Sequence, residues 1–147
     1  MGWRRGRLQT AILGMEMVYM TKKEIITSGH LPRGTAPLSH ATRFGNLVFV
    51  QGCTGRSPTT GEVGSDIKEQ TTFALQRIAL ILEAAGTSLD NVMTNTCYIT
   101  KREDLPGFNE AYAAQFKDAH PARTTIIVNF GAQDNLVEIT STACIPD

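Results

Sequence analysis

Two hydrophobic periods alternate along this chain. Ile67, Thr71, Ala74, Leu75, Ile78, Ile81, Leu82 and Ala85 recur at three and four residues. That stripe predicts one long amphipathic helix. Ser65 or Asp66 can cap its start, with Glu69 three residues after Asp66, and Gly86 can end it. A second, shorter stripe of Leu105, Phe108, Tyr112 and Phe116 predicts another helix, capped by Asp104 with Pro106 in its first turn. Elsewhere the period is two or the run is continuously apolar, which predicts strands over 23–26, 38–44, 47–53, 92–100, 121–130 and 136–145. Turn-rich segments at 29–37, 45–46, 56–64, 88–91 and 131–135 separate them.

The predicted order is β-β-β-α-β-α-β-β, an α+β domain. Two helices can cover one face of such a sheet but not both. The last strand shows the asymmetry: Val137, Ile139, Ala143 and Ile145 point one way, while Glu138, Thr140, Thr142 and Cys144 point the other. Thr94, Thr96 and Thr100 share a face of the preceding long strand. In the strand from Pro121, Ile126, Val128 and Phe130 lie on one side, and Arg123, Thr125, Ile127 and Asn129 on the other. With Ile127 and Leu136 assigned to the open, threonine-rich face, that face suits a second copy of the chain.

Composition narrows the functional classes. The 147 residues suggest one domain, and 14 basic against 14 acidic side chains leave no net field to attract nucleic acid. No run approaches the roughly 20 apolar residues that span a membrane. Cys53, Cys97 and Cys144 are odd in number, far apart and within strand-like runs. This implies reduced thiols in a reducing compartment, and we expect the cytoplasm. Neither they nor His30, His40 and His120 have metal-ligand spacing, so no metal or cofactor is expected. Residues 1–20 are basic, rich in glycine and methionine, and nearly free of acid. They read as an extension upstream of a domain spanning 21–147, with an organelle transit peptide as the other reading.

No phosphate-binding glycine loop or hydrolase nucleophile motif is present, and Gly61-Glu62-Val63-Gly64 lacks dinucleotide-loop spacing. Three residues carry candidate chemistry. Arg123, at the mouth of a strand, is either a bidentate carboxylate clamp or an ordinary surface charge. Glu138, mid-strand between Val137 and Ile139, is either a general acid/base or an exposed glutamate. Asn109 is either a ligand contact or a polar helix residue. His120, beside Pro121, reads first as a helix-end packing residue. A hairpin pairing Phe130 with Leu136 would set Val128 opposite Glu138 and separate Arg123 from Glu138 by roughly 16 Å in one chain. Cooperation between them would then cross a subunit boundary.

Several motifs together resemble one family. They are Gly61-Glu62-Val63, Ala84-Ala85-Gly86, Phe108-Asn109-Glu110-Ala111-Tyr112, Pro121-Ala122-Arg123 and Val137-Glu138-Ile139. From about Glu24 to Ile145 the chain resembles the Rid family, also called YjgF/YER057c/UK114, of enamine/imine deaminases. The resemblance implies a chorismate-mutase-like α+β fold in a homotrimeric barrel, with active sites in clefts between subunits. It implies hydrolysis of reactive enamines and imines such as 2-aminoacrylate to 2-keto acids and ammonia. The family's carboxylate-binding arginine falls on Arg123, its water-orienting glutamate on Glu138, its helix asparagine on Asn109 and its backbone glycine on Gly52. Three pocket positions depart from the family pattern. Leu38 replaces a tyrosine, Gln51 a serine and Thr125 a cysteine. The third is mild where only that residue's backbone carbonyl holds water, whereas the first two alter size and polarity at the pocket mouth and point away from 2-aminoacrylate, to a divergent subgroup. Alternatives are a deaminase of a longer imine such as 2-aminomuconate, and a non-catalytic carboxylate-binding protein.

Overall fold

The computed structural model describes residues 22–117 and 119–147, so the expected N-terminal extension lies outside the described residues. Seven strands and two α-helices follow in the order β1 (Glu24–Ile26), β2 (Ala41–Phe44), β3 (Leu47–Val50), β4 (Cys53–Thr54), α1 (Ile67–Ala84), β5 (Val92–Ile99), α2 (Leu105–Ala114), β6 (Ala122–Ile127) and β7 (Val137–Cys144). They form one sheet ordered β1-β2-β3-β7-β5-β6, with β4 paired to β7. Both helices lie on one face. The core between them and the sheet holds Val48, Leu75, Ile78, Ile81, Leu82, Ile99, Phe108, Val137 and Ile139, each at most 1% exposed.

Helix α1 forms as its pattern dictates. Asp66, in extended backbone, accepts the N–H of Glu69, while the Glu69 carboxylate accepts the N–H and hydroxyl of Ser65. These two bonds hold the Glu69 carboxyl below its ordinary range. At the other end Gly86 takes φ +85°, and the Thr87 N–H reaches back to the Leu82 carbonyl, the glycine-terminated cap expected there. Gln70 faces inward among the apolar residues and is 2% exposed. Its amide donates to the carbonyls of Gly64 and Asp134 and accepts the N–H of Leu136, tying two loops to the helix.

The final hairpin is corrected. β6 does not pair with β7. It runs parallel to β5, with Asn95 opposite Arg123 and Ile99 opposite Ile127. β7 occupies the other edge of β5, antiparallel, with Asn95 opposite Ser141 and Tyr98 opposite Glu138. The cause is the crossover through α2. A helix between two strands returns the chain in its original direction, so β6 takes a parallel place beside β5. The last strand then fills the gap between β3 and β5. This register also moves Ile127 to the helix side of the sheet and places Ile126, with Tyr98 and Glu138, on the open side. Residues 128–130 fall beyond the strand.

Three smaller differences have local causes. The strand expected over 47–53 breaks at Gln51–Gly52, which creates β4. The strand expected from Leu38 begins at Ala41, because the ladder ends where the Gln51 N–H reaches the His40 carbonyl. Asp104 makes no side-chain cap, since the chain is already helical there after a short turn over Arg102–Asp104.

Candidate active site

The residues singled out in the sequence fall into two groups on opposite faces of the sheet. Arg123 stands on the helix side, in the same row as buried Asn95 and Ser141. Its Nη2 donates to Asn109 Oδ1 at 2.8 Å. The guanidinium carbon lies 4.7 Å from the Tyr112 ring centre and 5.1 Å from that of Phe108, both from α2. The mount is itself anchored. Asn95 Nδ2 donates to the Tyr112 hydroxyl at 2.7 Å, and the Ser141 hydroxyl donates to Asn95 Oδ1. Burial raises the pKa of the Tyr112 phenol, so it stays neutral under its arginine. Arg123 has no ion-pair partner among the described residues. Its other N–H groups make no hydrogen bond among the described residues. Thr125, two residues on and on the same side, keeps a buried hydroxyl with no hydrogen-bond partner.

Glu138 stands on the open side, between Thr54 and Tyr98 in the neighbouring strands. Its carboxyl group presses against Gly52. A Cβ at position 52 would overlap Oε1 and lie 2.9 Å from the carboxyl carbon. The strand break at 51–52 therefore gives the carboxylate its seat. Gln51, Gly52 and the 58% exposed Leu38 line one open cleft of about 840 Å³, bounded by the 32–40 loop and α1. Leu38, Gln51, Gly52 and Glu138 thus belong together, as do Arg123, Asn109 and Thr125.

The two groups do not meet within one chain. Arg123 and Glu138 lie two strands and three residue rows apart, about 14 Å between backbones at standard sheet spacings. The separation expected from the hairpin survives its correction, by a different route. His120, exposed beyond the end of α2, lies with its ring tilted 53° to that of Phe116, the centres 6.2 Å apart.

Sequence reasoning missed two features. The Asn95–Tyr112–Ser141 network joins β5, α2 and β7, whose mutual placement local alternation does not encode, so no signal revealed it. Arg77 had a signal. With Gln70, Ala74 and Ile81 it forms an inward row at four, three and four residues, and it lines the cleft floor. Beside it, burial pushes the Cys53 thiol up to about 12, against the pull of Arg77 and Gln51. Among the described residues no cluster of His, Cys, Asp and Glu could hold a metal ion, and no helix is long and apolar enough to cross a membrane.

Residues 21–145 match the family model described as Endoribonuclease L-PSP. A RutC family protein of Pyrococcus horikoshii is 40% identical over 122 residues, 82% of this chain and 97% of that protein. The chloroplastic Reactive Intermediate Deaminase A of Arabidopsis thaliana is 34% identical over 105 residues, 71% of this chain and 56% of that protein. Among solved structures, RidA from the Antarctic bacterium Psychrobacter sp. superposes with a TM-score of 0.78 at 30% identity, covering 83% of this chain and 99% of that one. Escherichia coli TdcF with bound serine gives 0.76 at 27% identity, covering 82% and 98%.

Proposed function

Because the chain belongs to the Rid (YjgF/YER057c/UK114) family and has its α+β fold, we propose that it hydrolyses reactive enamines and imines to 2-keto acids and ammonia. The observation that carries this reading is Arg123. A guanidinium fixed by Asn109 and an aromatic pair, with its outer donors free and no acid beside it among the described residues, is prepared for a substrate carboxylate.

Arg123 and Glu138 cannot reach one small molecule within a single chain, so the working site joins Arg123 of one copy to Glu138 of another. The open face supports such an assembly. Ile25, Phe44, Leu47, Phe49 and Ile126 stand on it, each 40–55% exposed, an apolar surface that a lone domain seldom leaves to water. A homotrimer with three shared sites is the arrangement we propose, in keeping with the family.

In this mechanism Arg123 holds the carboxylate while the enamine shifts a proton to its terminal carbon and becomes an imine. Water against Glu138 attacks the imine carbon, and the carboxylate takes the water's proton. Glu138 returns that proton to nitrogen, giving the neutral carbinolamine, and then relays the hydroxyl proton to the amine as the C–N bond breaks, so ammonia leaves and a keto acid remains. Thr125 offers a further polar group near the carboxylate. An ammonia-release assay tests the proposal. Arg123→Ala should lower kcat/KM by about 100-fold or more, the loss expected for a bidentate charged contact, with the melting temperature little changed. Wild-type turnover in that variant would sink the reading.

A further inference from the structure

The cleft beside Glu138 has a charge pattern that the capture of a single carboxylate leaves unexplained. Its charged lining residues are Arg33, Arg56 and Arg77, and no aspartate or glutamate is among them. Two of the three are engaged at the exposed rim. Arg56 pairs with Asp134 at 3.4 Å, and Arg33 donates to the Thr27 hydroxyl. Arg77 differs. It rises from the middle of α1 to line the cleft beside the neutral Cys53 thiol, its Nε is buried without a hydrogen bond, and no carboxylate pairs with it among the described residues. A half-buried guanidinium without an answering charge is costly to the fold. A ligand carboxylate in the cleft would supply the missing acceptor.

The surroundings specify that ligand. Gln51, Ser39 and Thr27 are among the polar residues that line the cleft with Arg77. His40 Nδ1 accepts the N–H of Ser28 at 3.1 Å, which leaves its other ring nitrogen as a donor. A planar fork surrounded by further donors matches a carboxylate. Gly52 lines the cleft and also touches the Glu138 carboxyl group, so an anion held in the cleft lies toward the proposed water-activating acid. We propose that Arg77 is a second carboxylate clamp, and that the imines this protein favours carry two acidic groups. This rests on the deaminase reading above, in which Arg123 of a neighbouring copy takes the other carboxylate.

Equilibrium binding separates the two ideas, because it needs no turnover. Calorimetry on the full-length protein would compare succinate and glutarate with butyrate and valerate. The dicarboxylates should bind about 10- to 100-fold more tightly, as a hydrogen-bonded charge pair contributes. Arg77→Gln should erase that advantage and leave the monocarboxylates unaffected, and Arg77→Lys should keep part of it. Equal affinity for the two classes in the wild-type protein overturns the proposal without recourse to any variant. So does an advantage that persists in Arg77→Gln, or inorganic phosphate outcompeting both dicarboxylates. The ammonia assay is read separately. If a dicarboxylate preference that depends on Arg77 coexists with no hydrolysis of any imine, the deaminase reading fails and the clamp stands.

Discussion

At position 52 only a hydrogen atom fits in front of the Glu138 carboxyl group. Gly52→Ala should therefore displace the carboxylate rather than unfold the sheet, since Glu138 is half-exposed and can swing outward. We expect turnover to fall at least about tenfold, with a stability cost of about 1–3 kcal/mol, the usual range for overpacking. Steady-state kinetics beside a urea titration check both. The thiols make a second prediction at this scale. Burial pushes Cys53 and Cys97 each up to about 12, so the folded protein keeps their protons where an unfolded chain would lose them. Their contribution to stability is present below the ordinary thiol value and is lost as pH rises from there through about 12. Iodoacetamide at pH about 8 should leave both unlabelled until denaturant is added. Rapid modification of either in the native protein would contradict their placement.

Helix α1 joins the fold to the cleft. Its apolar row builds the core, and the two polar interruptions in that row, Gln70 and Arg77, serve the loops and the cleft floor. Gln70→Ala deletes three bonds to backbone groups and strands some of them away from water. We expect a loss of about 3 kcal/mol in chemical denaturation, whereas Gln76→Ala on the exposed side of the same helix should change little. The helices and the alternating faces of β7 were legible in the sequence because burial imposes a period on local residues. Pairing was not. Whether β6 joins β5 or β7 depends on the path through α2, and local alternation carries no record of that path. The same blindness hid Asn95, whose partners Tyr112 and Ser141 are 17 and 46 residues away. Arg123, Glu138, Asn109 and Gly52 could be named from motifs, but their division between two faces required the register.

For the whole molecule, the sheet presents two unlike surfaces. One carries the helices, with Arg123 beside α2 at its margin. The other exposes Ile25, Phe44, Leu47, Phe49 and Ile126 around Glu138 and the threonines of β5 and β7. Placing the clamp and the acid on opposite faces has a genetic consequence. Arg123→Ala and Glu138→Gln should be individually dead yet complement one another. When the two proteins are unfolded together and refolded at equal ratio, about a quarter of the sites should receive an intact arginine from one copy and an intact glutamate from the next. Activity should return to about that fraction of wild type, while refolding either variant alone yields none. The same two lesions placed in one polypeptide could never be rescued by each other.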